Sequence, residues 1–401
     1  MTAPHFAHGL STNPSSQRAQ TEALAALERG LGPRRPDLLV VFATHHHGSA
    51  LETIGPRLAE ASGASVVLGC TGEGIIGGSR EIEQEPAIAL WAAHLPHTRL
   101  APFEVSAQQA EDGTLRFSGM PELREPERAS LLLLGEPYSF PMDDYLGVLN
   151  ERYPGVPAIG GMASGGSGPG QNLLITRAGL REGGAIGLVV EGAVELRSVV
   201  SQGCRPVGKP LVVTACEENT IQKLSGKPAA DVLMETLSAL DPSEQEIFRH
   251  GPFVGLAVDP RKSVFERGDF IVRAIVGIKP QERSFAVNDL VRRGQTVQFL
   301  VRDAASASDD LRLLLQAHSP ARDPAAEAGA QTSGALLFSC NGRGSRMFEV
   351  ADHDAGCVRS VLGADLPVAG FFAMGEIGPV GGRNFLHGFT ASVALFRERA
   401  R

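Results

Sequence analysis

Aromatic residues are few, 5% of 401, with a single tryptophan. A core without many large rings has to be filled by aliphatic side chains, and the hydrophobic fraction of 43% is enough for that. Cysteine is scarce as well. The five, at positions 70, 204, 216, 340 and 357, are odd in number, scattered and form no CxxC pair, which excludes a disulfide framework and a zinc ribbon. No run reaches the roughly 18–20 apolar residues of a membrane-spanning helix. The N-terminus, MTAPHFAHGLSTNPSS, lacks the basic-then-apolar order of a signal peptide. Net positive charge is missing too: the formal charge is −8, which argues against sequence-independent binding to nucleic acid. These absences predict a cytoplasmic protein that neither binds nucleic acid nor inserts in a membrane.

Glycine, by contrast, is abundant at 47 residues. Much of it closes short apolar runs, which read as buried strands. Leu336-Leu337-Phe338 runs into Cys340-Asn341-Gly342-Arg343-Gly344, and Val368 to Phe372 runs into Gly375-Glu376-Ile377-Gly378. The same device appears earlier as VVLGCTGEGIIGG, Val66 to Gly78. Strands at Leu38 to Phe42 and Val66 to Leu68 flank a helix, and strands at Leu131 to Leu134 and Val156 to Ile159 flank another at nearly equal spacing. Antiparallel strands follow each pair. The pattern predicts an α/β (α+β) protein of two domains, built from repeated βαβ units followed by antiparallel strands in mixed sheets. Residues 1–35 read as a tail and a helix, 36–208 as the first domain and 209–396 as the second. The boundary falls at Pro206 to Lys209, and a Pro/Ala/Gly-rich linker at Ser319 to Thr332.

Ligand sites in such sheets gather at the ends of neighbouring strands, so polar residues there are the candidates. His45-His46-His47 follows the first strand, but consecutive residues on extended backbone face opposite ways and rarely converge on one ion. Cys70-Thr71-Gly72-Glu73 ends the second. Its main-chain N–H groups suit a carboxylate and Glu73 an ammonium, and Glu376 is read as the equivalent of Glu73 in the last unit. Arg343, in CNGRG beside Cys340 and Asn341, offers a planar fork for a carboxylate or phosphate. Its alternative is an ion pair with a carboxylate such as Glu376. No His or Asp stands at a family-like spacing from Cys340, and GxxxxGK[ST], HExxH and GxSxG are all missing. No enzyme and no resident metal is expected.

CNGRGSRMF, GFFAMGEIGPVGGRNFLHGFTASVALF and GQTVQFLVRDA resemble the C-terminal half of the FIST family; LVVFATHHH, VVLGCTGEGIIG and LSGKPAADVL resemble its N-terminal half and junction. The resemblance spans about residues 36 to 396. It implies a sensory module for signal transduction that binds a small ligand such as an amino acid. By motif, the ligand residues would be His45, Cys70, Thr71, Glu73, Cys340, Asn341, Arg343 and Glu376. No output domain follows, so the signal is expected to leave through a separate partner protein. Some relatives bind haem and report nitric oxide, which makes a haem sensor using His45, His46, His47, His94 or His387 one alternative. A non-catalytic scaffold is the other.

Overall fold

The computed structural model describes residues 3–259, 262, 265, 268–319 and 332–399. Most of the expected linker therefore lies outside the described residues. The chain forms two compact units, residues 1–201 with 311–401, and residues 202–310. This division differs from the boundary read at Pro206 to Lys209, which lies inside a strand, Cys204–Glu217. The reason is that the strands of the last βαβ unit pair with those of the first two.

In the first unit the chain runs β1 (His5–Ser11), α1 (Ser16–Leu31), β2 (Leu38–Ala43), α2 (Ile54–Ser62), β3 (Val66–Thr71), β4 (Gly74–Gly77), β5 (Arg80–Glu83) and β6 (Ile88–His94). It continues through β7 (Thr98–Gln109), β8 (Leu115–Ser118), β9 (Ala129–Gly135), α3 (Met142–Arg152), β10 (Ala158–Met162), β11 (Leu174–Thr176), β12 (Gly179–Arg181), β13 (Ala185–Gly192) and β14 (Val194–Ser201). The second unit then contributes β15 (Cys204–Glu217), β16 (Thr220–Leu224), β17 (Lys227–Pro228), α4 (Ala229–Ala239), α5 (Pro242–His250), β18 (Phe253–Ala257), β19 (Phe270–Lys279), β20 (Ser284–Val287) and β21 (Thr296–Arg302). Helix α6 (Ala304–Gln316) carries the chain back. The first unit closes with β22 (Thr332–Cys340), α7 (His353–Leu362), β23 (Val368–Ala373), β24 (Glu376–Val380), β25 (Arg383–His387) and β26 (Ala391–Glu398).

The first unit is one motif used three times. Its sheets are ordered β1-β6-β2-β3-β11-β12, β8-β7-β13-β9-β10-β24-β25 and β14-β26-β22-β23-β4-β5. At the centre of each lies a parallel pair: β2 with β3, β9 with β10, β22 with β23. The return strand, β6, β13 or β26, flanks it on one side. On the other side lies a hairpin belonging to a different repeat, β4–β5 completing the sheet of β22 and β23, for example. The registers show the equivalence. Gly69, Gly160 and Gly370 pair with Val41, Leu133 and Leu337, and a Cβ at any of the three glycines would overlap that partner's carbonyl oxygen. Only glycine permits so close an approach of two backbones.

Alternation along the parallel strands sets the layers. Leu38, Val40 and Phe42 of β2, Leu132 and Leu134 of β9, and Leu336 and Phe338 of β22 share one core bounded by all three sheets. The residues between them face outward. Leu39 and Val41 pack under α1 and α2, Leu131 and Leu133 under α3, Ala335 and Leu337 under α6 and α7. Strands buried on both faces read as continuous apolar runs, and this is why they were visible in the sequence. Residues 5–11 depart from the expected tail: they form an edge strand paired with Ile88 to His94, with Phe6 against Trp91 and Phe396.

The second unit is an antiparallel sheet in the order β15-β21-β18-β19-β20-β16-β17, closed on itself by pairing of β15 with β16. Closure removes most exposed edges. Its core includes Val254, Phe285 and Phe299, and takes Val232, Leu233 and Phe248 from the two helices.

Candidate functional site

The three second strands, β3, β10 and β23, end side by side, joined by hydrogen bonds of repeated form. Ser164 N–H donates to Thr71 O at 3.1 Å, and Met374 N–H donates to Met162 O at 3.1 Å. The third member of this ring would be Glu73 N–H to Phe372 O. Instead the Ser164 hydroxyl is inserted: Glu73 N–H donates to Ser164 Oγ at 2.9 Å, and Oγ–H donates to Phe372 O. Ser164 is fully buried. A hydroxyl can accept and donate at once, so the gap between the two strand ends is bridged rather than left unsatisfied.

Beside this break lies a nearly filled cleft, with only about 10 Å³ free, lined by Glu73, Gly74, Glu83, Gln84, Asn341, Arg346 and Phe372. Arg346 spans it. Its Nη2 pairs with Glu73 Oε1 and its Nη1 donates to Asn341 O at 2.7 Å. Both side chains of the pair are partly exposed, 49% for Arg346 and 33% for Glu73. Glu83 accepts from the backbone N–H and the hydroxyl of Ser345, each at 2.8 Å. The Asn341 Oδ1 atom is buried without a hydrogen-bond partner. His45 stands at the edge, its Nε2 3.0 Å from Ser164 O.

The expected site residues divide into two groups. Glu73, Asn341 and His45 come together around the cleft and Ser164. Cys70 and Thr71 lie inside the fold. Cys70 is packed in the central core, where burial raises its thiol well above the ordinary range, and the Thr71 hydroxyl accepts Leu173 N–H at 3.0 Å. Cys340 Sγ accepts N–H groups from Gly342 at 3.4 Å and Phe389 at 3.2 Å. Glu376 is fully buried and accepts Thr390 N–H at 3.0 Å. It is not the counterpart of Glu73. Ile377 faces Gly160 and Ile76 faces Gly370, so Glu376 matches Ile75, and Glu73 matches Met374.

Arg343 is fully buried and engaged. Its Nε and Nη2 bind Asp354 Oδ2 and Oδ1 at 2.7 and 2.8 Å, a bidentate pair. Ser339 Oγ and His353 Nδ1 add contacts to the same carboxylate at 2.7 and 2.9 Å, and Phe348 covers the guanidinium at 5.2 Å. The ion pair foreseen as its alternative therefore exists, with Asp354 as the partner rather than Glu376. Burial alone would raise the Asp354 carboxyl, but Arg343, His353 and Ser339 hold it well below the carboxylate range. Nearby, Glu81 accepts Ala355 N–H at 2.8 Å while its Oε2 is buried without a partner. Burial first, and the charge of Asp354 second, push its pKa up to about 8.

The histidines diverge. His46 is exposed, His47 meets Ser16 Oγ at 3.1 Å, His94 meets Arg35 O at 3.0 Å and His387 meets Gly378 O at 2.9 Å. None lines this cleft. Among the described residues no group of three or more His, Cys, Asp and Glu side chains is placed to hold a metal. No described helix is long and apolar enough to cross a membrane.

Family models for the FIST N domain and the FIST C domain match residues 37–227 and 229–379. The chain belongs to the FIST family. FIST domains are associated with sensing and signal transduction. Relatives align along nearly the whole FIST chain. The uncharacterized protein Rv0628c of Mycobacterium tuberculosis is 40% identical over 97% of this chain and 98% of its own. The uncharacterized protein Mb0898c of Mycobacterium bovis is 37% identical over 97% of each.

Arg346 and Ser164 escaped the sequence reading. Arg346 stands three residues after Arg343 in a motif that contains both, and nothing local separates the buried arginine from the exposed one. Ser164 sits in GGMASGGSG, the glycine-rich end of the strand read at Val156 to Ile159, where nothing singles out the serine.

Proposed function

We propose that this FIST protein senses a small zwitterion, an amino acid, in the cleft between Glu73 and Arg346. The observation that carries the reading is the half-exposed Glu73–Arg346 pair spanning the cleft beside the open acceptor of Asn341. An α-carboxylate takes the Arg346 fork, and an α-ammonium takes Glu73 and Asn341 Oδ1. The ligand thus replaces an ion pair that the protein makes with itself. With the pair closed the cleft has only about 10 Å³ free, the room of one water, so a ligand enters only as Glu73 and Arg346 part, which favours the smaller amino acids.

Two states follow, one latched by Glu73–Arg346 and one with ligand between them. The ligand shifts their balance only through its differential affinity. In this reading the module works in the cytoplasm, binds its ligand without converting it, and passes the change to a signalling partner.

Isothermal titration against the amino acids tests it. One or more should bind, and Arg346→Ala and Glu73→Gln should each abolish binding while the melting temperature stays near that of the parent. Binding that survives both substitutions would sink the assignment. A Soret band after hemin addition, with no amino acid bound, would move the function to the histidines.

A further inference from the structure

At the opposite end of the β9–β10 pair lies a larger open cleft of about 750 Å³. It is lined by residues at the starts of these strands, among them Ser130 and Gly155, and by Glu195, Arg197 and Arg399. One carboxylate here serves three guanidinium groups. Glu195 Oε1 accepts from Arg197 Nε at 2.8 Å and from Arg397 Nε, and Oε2 pairs with Arg399 Nη1 at 2.9 Å. Arg399 Nη2 reaches Arg128 O at 2.9 Å, which brings in a fourth arginine. The Arg399 Nε is buried and has no hydrogen-bond partner. Glu127 lines the cleft from an exposed position, and Glu125 pairs with Arg128 at 3.7 Å.

We propose that this cleft is a second binding site, for a small phosphate-bearing anion. Glu195 alone faces three guanidinium groups, in a chain whose formal charge overall is −8. Burial lowers the Arg399 pKa, Glu195 raises it, and the charges of Arg128, Arg197 and Arg397 lower it further, as expected where several guanidinium groups share one carboxylate. Arginine forks present paired N–H donors to phosphate oxygens, and a multiply charged phosphate fills several forks at once. The site lies at the starts of β9 and β10 and shares no lining residue with the Glu73–Arg346 cleft, so it is independent of the amino-acid reading.

Titration of the full chain with inorganic pyrophosphate at low ionic strength tests the site. Pyrophosphate should bind, and added salt should weaken it. Arg197→Ala, a half-exposed side chain whose loss spares the core, should weaken binding at least about tenfold, the worth of one charge-assisted contact. Arg399→Ala should do the same, and Arg346→Ala should leave it unchanged. If pyrophosphate fails to bind at low salt, or binds Arg197→Ala and Arg399→Ala as it binds the parent, the site does not exist.

Discussion

Two arginines three residues apart in one motif end in opposite situations, and the difference is electrostatic. Arg343 is neutralised inside the fold by Asp354, and Arg346 stays at the surface with Glu73. Removing one member of a buried pair strands the other's charge, so Arg343→Ala should cost about 3–5 kcal/mol in urea unfolding. Replacing both, Arg343→Met with Asp354→Leu, should recover most of that loss. A double variant as unstable as the single would show that the cluster does more than neutralise charge. Glu81 supplies a pH dependence of the reverse sign to Asp354. Its pKa rises on folding from 4.5 to about 8, so the folded state holds the extra proton. That contribution is complete below the unfolded value and is lost as pH climbs toward about 8. Asp354 is depressed on folding, and its contribution is lost only as pH falls below the carboxylate range. Glu81→Gln should therefore flatten the decline of the urea midpoint between pH 5 and 8 and leave the acid limb intact. An unchanged slope would mean that Glu81 is already ionised in the fold.

At the scale of elements, the parallel strands were legible because burial on both faces writes an unbroken apolar run. Leu38–Ala43 and Val368–Ala373 were found to within one residue, and Val66–Thr71 at its start though three residues short at its end. Strand β1 was not, because His5, His8 and Ser11 give HFAHGLS a polar look, and its strand character comes from pairing with β6. The glycines of the second strands have a role that no local pattern reveals: they let the parallel backbones close. Gly370→Ala places a Cβ against Leu337 O, and overpacking of this kind costs on the order of 1–3 kcal/mol. The melting temperature should fall accordingly. A variant as stable as the parent would mean that the strands part without strain. The offset between Glu73 and Glu376 belongs to this scale as well, since a Gly-Glu pair looks the same in either turn and only the strand register separates them.

On the scale of the molecule, exchanged hairpins make the first unit one cooperative body. Hairpin β4–β5 finishes the sheet of β22 and β23, and β24–β25 finishes that of β9 and β10, so neither end of the chain holds its sheets complete. A fragment of residues 1–227, the span that ends with the FIST N match, should show no cooperative thermal transition by circular dichroism. Residues 202–310, with a closed sheet and a core of their own, should keep one. A cooperative melt of the first fragment would show that β9–β10 stands without its borrowed edge, β24–β25. The family, the mixed α/β character and the recurrence of the βαβ unit were all determined by the sequence, because strand burial, glycine turns and motif spacing are local properties. Three matters were decided by the tertiary structure alone. The last repeat joins the first two across an inserted unit, Asp354 rather than a ligand holds Arg343, and Ser164 breaks a ring of three equivalent hydrogen bonds beside Glu73 and Arg346. Each depends on which residue arrives opposite, whether eleven positions away, as Asp354 is from Arg343, or 91, as Ser164 is from Glu73, and such pairing leaves no periodicity in either segment.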